Sequence, residues 1–294
     1  MLKPYDYKQG DSKWGDVLYA VDGESSTIKS AGCGPTAMAD IIASLVSPYV
    51  DPLTLASWSR MHGYKVYKSG TSYSFPVAVA QAYGVSCVRL NLSNVYGKPN
   101  NNVHNVALEQ LKSGNWLLAC MGKGNWTSSG HYIIIYGYDE KTGLVHINDP
   151  ASNKANRACN TFALLRKQVK YYWAIQVPDE IKKNGIKKDG AYSQEEFVRE
   201  VQMCLKSNLT GKGDGLTLSK TVTVSAKKNK KHAVVYPVQK LLKKIGIYHN
   251  VCDRSCGAGT TAAINKYQKD VLMYAIPDGE ITAKQKMWRS LLRV

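Results

Sequence analysis

The sequence predicts an α+β domain followed by a small, mainly helical one, and three observations carry that prediction. Apolar residues recur at helical spacing up to about residue 112, and short apolar runs suited to antiparallel strands dominate from Trp116 to Val177. The text then turns polar and glycine-punctuated before helical spacing returns. The expected boundaries are 1–177 for the first domain, 178–192 for a linker and 193–294 for the second.

The elements follow in order. Gly34-Pro35-Thr36 opens a helix carrying Ala37, Met38, Ile41, Ile42 and Leu45 on a repeating apolar face. Asp51-Pro52 reads as an N-cap with proline at the first helical position, starting a helix that runs to about His62. Further short helices are expected over Phe75–Tyr83 and Val106–Lys112. Strands are expected at Trp116–Met121, His131–Tyr138, Leu144–Asn148 and Tyr171–Val177, with residues 139–143 as a hairpin turn between two of them. Beyond the linker a weak repeat appears: Val201-Gln202 with Leu205 is echoed by Val238-Gln239 with Leu242, and again by Tyr267-Gln268. Turns at Asp214-Gly215, at 253–257 and at Asp278-Gly279 follow these helices.

The chain has 294 residues, 44% of them hydrophobic, which excludes a disordered chain or a fibre. Its formal net charge is +17, which implies an anionic partner: nucleic acid, a membrane surface or a bacterial wall. The charge is uneven. Residues 1–177 hold 17 Lys and Arg against 11 Asp and Glu, while residues 178–294 hold 22 against 11. The second part therefore reads as a basic docking domain. The opening Met1–Gly10 has no apolar core or small-residue cleavage site, and no apolar run approaches a spanning length. Synthesis in the cytoplasm without a signal peptide or transmembrane segment is the expectation. Seven scattered cysteines do not suggest a disulfide framework. His249, Cys252 and Cys256 are three candidate ligands, one short of a structural zinc site, and no metal or cofactor is expected.

The sharpest local signal is the run Ser30-Ala31-Gly32-Cys33-Gly34-Pro35-Thr36-Ala37. A cysteine at the start of a helix faces unpaired backbone N–H groups and the positive helix end, which favours the thiolate. The flanking glycines would let a substrate backbone approach. Such a cysteine can also be a small buried hydrophobe. A nucleophile needs a base and an orienter for it. His131 begins a strand, and Asp149 lies eighteen residues on, where the next strand ends in Asn148-Asp149-Pro150. Across the hairpin the two should be neighbours, a carboxylate holding an imidazole. A packed strand histidine and a turn-initiating Asp-Pro are the plainer alternatives. Trp126, Thr127 and Gly130 would line the cleft just before the base, although a packing role serves Trp126 equally.

The pattern Gln9-Gly10-Asp11, Trp14-Gly15, Gly32-Cys33-Gly34-Pro35-Thr36-Ala37, Gly130-His131-Tyr132 and Asn148-Asp149-Pro150 resembles papain-like cysteine peptidases. More narrowly, it is similar to the subgroup related to bacteriocin double-glycine leader peptidases, over residues 4–177. The resemblance implies Cys33 as nucleophile, His131 as general base and acid, and Asp149 as orienter. Gln9 matches the glutamine that such enzymes use as an oxyanion-hole donor, though it lies farther from the cysteine than in leader peptidases.

The second part contains Pro237-Val238-Gln239, the run 257–264, Tyr267-Gln268, Asp278-Gly279-Glu280 and Trp288 with Leu291-Leu292. It resembles a peptidoglycan-binding-type helical module over residues 195–294, except that 253–257 replaces the usual first Asp-Gly turn. The basic run 226–232 alone could suggest nucleic acid, but no recognition motif for nucleic acid accompanies it. Together the halves resemble a phage endolysin. That resemblance implies action at the bacterial wall, on peptidoglycan and anionic polymers of Gram-positive type, and no nucleic-acid partner. Cleavage of stem or cross-bridge peptides is expected first. An N-acetylmuramoyl-L-alanine amidase and a non-catalytic wall-binding protein are the alternatives.

Overall fold

A computed structural model describes residues 1–187 and 192–294. The chain splits into two compact units, Met1–Asp189 and Gly190–Val294.

In the first unit, helices α1 (Ile28–Ala31), α2 (Cys33–Leu45), α3 (Pro52–Met61) and α4 (Phe75–Ala82) precede β1 (Cys87–Arg89) and α5 (Val103–Lys112). Then come β2 (Trp116–Met121), β3 (His131–Asp139), β4 (Leu144–Asn148), α6 (Ala155–Ala158), β5 (Cys159–Thr161), α7 (Phe162–Gln168), β6 (Val169–Ile175) and α8 (Asp179–Asn184). The six strands form one antiparallel sheet in the order β1-β6-β2-β3-β4-β5. This is a mixed helix and sheet architecture with the main helical layer first, as expected.

Burial on both faces explains the unbroken apolar text of the central strands. Leu117, Ala119 and Met121 of β2 and Ile133 and Ile135 of β3 join Ala107 and Leu111 of α5 in one core. The alternating Leu118 and Ile134, fully buried too, point to the opposite face, and α2 packs against β3. Each such leucine, isoleucine or methionine side chain contributes about 1.5–3 kcal/mol by leaving water. Asp51 caps α3 by accepting from the Thr54 N–H at 2.7 Å, with proline at the first helical position. A cap of this kind contributes about 1 kcal/mol.

The sixth strand starts two residues earlier than expected, at Val169, because a β-bulge shifts its register. Cys120 pairs with Tyr171 while Met121 pairs with Val169, so Lys170 is the extra residue. Helix α8 lies inside the stretch expected as a linker and belongs to the first unit. Ile181 is buried there, and acidic residues in its first turn with lysines in its last suit the helix dipole. Residues 188–191 of that stretch lie outside the described residues.

The N-terminal segment runs extended along the first unit. Alternate backbone N–H groups donate outward: Tyr5 to Ser44 Oγ at 2.7 Å, Tyr7 to Asp40 Oδ1 at 2.6 Å, and Gln9 to the Pro150 carbonyl at 2.9 Å. The residues between face the other way, as extended backbone requires.

The second unit contains α9 (Gln194–Cys204), α10 (Gly215–Lys220), α11 (Val235–Lys244), α12 (Ala258–Asp270) and α13 (Lys286–Leu292). Its repeat is structural. Gln202, Gln239 and Gln268 are each buried and each pins the next turn. Their Oε1 atoms accept from the backbone N–H of Gly211, Arg254 and Gly279, all of which have left-handed φ, at 69°, 63° and 65°. Their Nε2 groups donate to the next carbonyls, those of Lys212, Ser255 and Glu280, and to Thr210, Asp253 and Asp278 side chains just before. The first such turn is therefore at residues 210–212, not at Asp214-Gly215. Asp214 instead caps α10, accepting from Thr217 N–H at 2.6 Å.

Among the described residues no helix is long and apolar enough to cross a membrane. No group of three or more His, Cys, Asp or Glu there could hold a metal ion. The seven cysteines are free thiols.

Candidate active site

Cys33 is the first residue of α2, brought there by a tight turn from α1. A Cβ on Gly32 would meet the Ile28 carbonyl oxygen at 2.6 Å, and one on Gly34 would meet Thr71 Oγ1 at 2.8 Å. The flanking glycines therefore serve internal close packing, rather than the substrate approach expected from sequence. Thr71 is in turn held by the buried Tyr19 hydroxyl at 2.8 Å.

His131 opens β3, and its Nε2 lies 2.7 Å from Asp149 Oδ1. The hairpin brings them together because Asn148, at the end of β4, pairs with Ile134. With Nε2 engaged, Nδ1 is the ring nitrogen left for the Cys33 sulfur, to which His131 is hydrogen-bonded. The backbone N–H groups of Tyr132 and Gly34 also favour the charged form of that sulfur. Burial pushes the Cys33 thiol up, but the bond to His131 and its charge outweigh that and hold the thiol below its ordinary value. Burial pushes His131 down, yet the bonds to Asp149 and Cys33 raise it to about 9. The pair therefore favours a thiolate beside an imidazolium.

Asp149 is held by hydrogen bonds at Oδ1 and by an ion pair, without hydrogen-bond geometry, at Oδ2. Its Oδ1 also accepts from the Ala151 N–H at 2.8 Å, and its Oδ2 lies 2.5 Å from Arg157 Nε. Burial would raise its carboxyl, but the His131 bond, the Ala151 N–H and the Arg157 charge hold it below the ordinary value.

The sequence-predicted residues divide. Cys33, His131 and Gly130 line one cleft of about 870 Å³, with Asp149 buried behind the histidine. Gln9 is not among the residues that line this cleft: it is buried, its backbone N–H donates to the Pro150 carbonyl at 2.9 Å, and its Nε2 donates to the Lys29 carbonyl at 2.5 Å. One amide proton is thus committed to the fold. Trp126 does not line the cleft. It is 1% exposed, packs in the sheet core and donates its indole N–H to the Arg157 carbonyl at 3.0 Å. Thr127 is not among the cleft-lining residues either; its Oγ1 accepts from the Ser129 N–H at 3.1 Å within its own turn.

Other groups at the site were not singled out from sequence. Arg157 touches Asp149, and a wall loop over residues 66–73 faces the cleft. That loop is stapled by Lys65, which donates to Glu24 Oε1 at 2.5 Å and to the Val66 and Ser69 carbonyls. The Lys65 bond lowers Glu24 to about 2. Lys65 and Glu24 are 41 residues apart, with no motif to join them.

The model of the Peptidase_C39-like family matches residues 16–178. The chain belongs to that family. Cys33, His131 and Asp149 fall within the matched region of this C39-like cysteine peptidase, and Gln9 lies before it. No curated protein matches the chain significantly.

Proposed function

We propose that this C39-like peptidase is an endolysin-like peptidoglycan hydrolase that cleaves stem or cross-bridge peptides of Gram-positive walls. The observation that carries the reading is a Cys33–His131–Asp149 array beside an open cleft, in one chain with a separate unit of three glutamine-pinned turns. In that second unit Lys227, Lys228, Lys230 and Lys231 are all exposed. Such a surface favours retention on an anionic polymer, including phosphate-bearing wall polymers.

In this reading the Cys33 thiolate attacks the scissile carbonyl carbon. The oxyanion is met by the Cys33 backbone N–H at the helix start and by the remaining Gln9 amide proton. His131 gives its proton to the leaving amine as the C–N bond breaks, leaving a thioester on Cys33. His131 then takes a proton from water, whose hydroxide displaces the sulfur and releases a carboxylate. Asp149 holds the imidazole oriented throughout and stabilises its charged form.

Mass spectrometry of soluble fragments from digested peptidoglycan tests this. The expected products are stem peptides with new amino termini, absent with Cys33→Ala. Intact stem peptides freed from lactyl-bearing sugars would instead establish amidase activity. New reducing ends, or full lysis by the Cys33→Ala protein, would overturn the reading.

A further inference from the structure

We infer that Lys170 is a specificity-determining residue that selects a substrate carboxylate close to the scissile bond, so that the cleft takes acidic peptides. The inference rests on the peptidase reading of the same cleft.

The first observation is the β-bulge in β6. Lys170 is the extra residue, with no partner on β2. Its carbonyl is satisfied away from that ladder, by Asn91 Nδ2 at 2.9 Å and Val95 N–H at 3.1 Å. Bulges beside active sites re-aim a side chain, and this one sends Lys170 into the cleft wall. The Lys170 ammonium donates to the Ser129 carbonyl at 3.0 Å and lies 3.8 Å from where a Cβ on Gly130 would sit. Gly130 is the residue before His131. The charge is therefore fixed one residue from the catalytic imidazole, while two of its three protons remain free for a ligand.

The second observation is the charge balance of the cleft. Among the described residues no carboxylate pairs with Lys170. Glu24, the one carboxylate among the cleft-lining residues, is consumed by Lys65 and by the Lys68 backbone N–H at 2.8 Å. Lys68, also on the wall, carries its ammonium over the Tyr67 ring and pairs with no acid among the described residues. The remaining wall is largely serine, threonine and glycine, which hydrogen-bond without adding charge. A cleft with two unneutralised ammonium groups and a spent carboxylate favours an anionic ligand over a cationic one.

A mixed peptide library, digested by the full chain and read by mass spectrometry, tests the inference. Wild-type protein is expected to cut with Asp or Glu enriched several-fold near the cleaved bond. Lys170→Arg keeps that enrichment, Lys170→Met flattens it, and Lys170→Glu shifts it toward Lys and Arg. Lys68→Glu, distant from the bulge, lowers the enrichment without disturbing β6. A melting temperature close to that of the wild type verifies that each variant is folded. Equal cleavage profiles for wild type and Lys170→Glu, or no acidic enrichment in the wild type, would overturn the inference. Isolated walls digested in parallel separate the two ideas. Wall release without acidic selection removes the role of Lys170 alone, whereas acidic selection without wall release removes the wall substrate and leaves Lys170 in place.

Discussion

Trp126 and Arg157 exchange hydrogen bonds: the indole N–H donates to the Arg157 carbonyl, and the guanidinium donates back to the Trp126 carbonyl. Because Arg157 Nε also lies against Asp149, this pair ties the loop before His131 to the carboxylate behind it. Arg157→Met removes the buried ion-pair partner of Asp149 and should lower kcat/KM roughly 10- to 100-fold, about 1.4–2.7 kcal/mol in the transition state. Trp126→Phe should instead lower stability by about 1–2 kcal/mol and leave peptide preference unchanged, since the ring meets no substrate. Thermal melting and cleavage profiles of the two variants distinguish these outcomes.

Asp149→Asn keeps the shape but removes the charge that fixes the imidazole tautomer and stabilises its protonated form. The expected loss is roughly 10²- to 10⁴-fold in kcat with little change in KM. Steady-state kinetics on a soluble peptide substrate measure it. Cys33 alkylation at neutral pH should slow in the same variant, because the imidazolium that favours the thiolate is weakened.

The pH dependence has a definite sign. His131 must hold its proton to release the leaving amine, so activity should fall as pH rises through about 9. Stability follows the same group. The contribution of His131 is complete below its unfolded value near 6.5 and is lost as pH rises through about 9. Cys33 works in the opposite sense: its lowered value makes the thiolate's contribution present above the unfolded thiol value and lost as pH falls through the folded one. Kinetics and melting curves between pH 5 and 10, on wild type and His131→Gln, test both limbs.

Asp40 is wholly buried in α2, where one oxygen accepts from Tyr7 and the other has no partner among the described residues. Burial pushes its carboxyl well above the ordinary value. The folded state therefore holds a proton that the unfolded chain releases, and stability falls as pH rises above about 3.9. Asp40→Asn should raise the melting temperature near neutrality by about 2–4 °C, with the two proteins converging in acid. A gain that persists undiminished at low pH would contradict this.

Gln239 offers its Nε2 protons to several acceptors, including Asp253 and Thr260, and accepts from the Arg254 N–H. Gln239→Leu leaves these buried groups unpaired, at about 1–3 kcal/mol each where water cannot replace the bond. Denaturant unfolding, followed by a probe in the second unit, should show the loss, while hydrolysis of a small peptide persists.

Much of the site was legible because local rules determine it. Asp51-Pro52 forms its helix start from short-range chemistry alone, and the length of the 131–149 hairpin nearly dictates that His131 meets Asp149. Trp126 was not legible, since an indole in a loop serves a cleft or a core equally well until its neighbours are known. The Gln9 amide reads as a free donor until Lys29, twenty residues away, takes one of its protons. Lys170 leaves a fainter trace: Tyr171 and Tyr172 follow it in a strand whose alternation is already broken. A one-residue bulge depends on the neighbouring strand, which no local pattern reveals. The helix at Asp179–Asn184 hides in polar text because Ile181 alone of its residues is buried.

The three glutamine-pinned turns carry one further implication. Each turn offers its glutamine a side-chain acceptor, a left-handed N–H and a carbonyl on three successive residues, yet the left-handed position is glycine in two copies and Arg254 in the third. A side chain there costs roughly 1 kcal/mol, which the Arg254 guanidinium, 4.1 Å from the Tyr236 ring, can offset. The turns are thus interchangeable parts, and transplanting residues 278–280 onto 253–255 should yield a chain that folds with a spare of its own making.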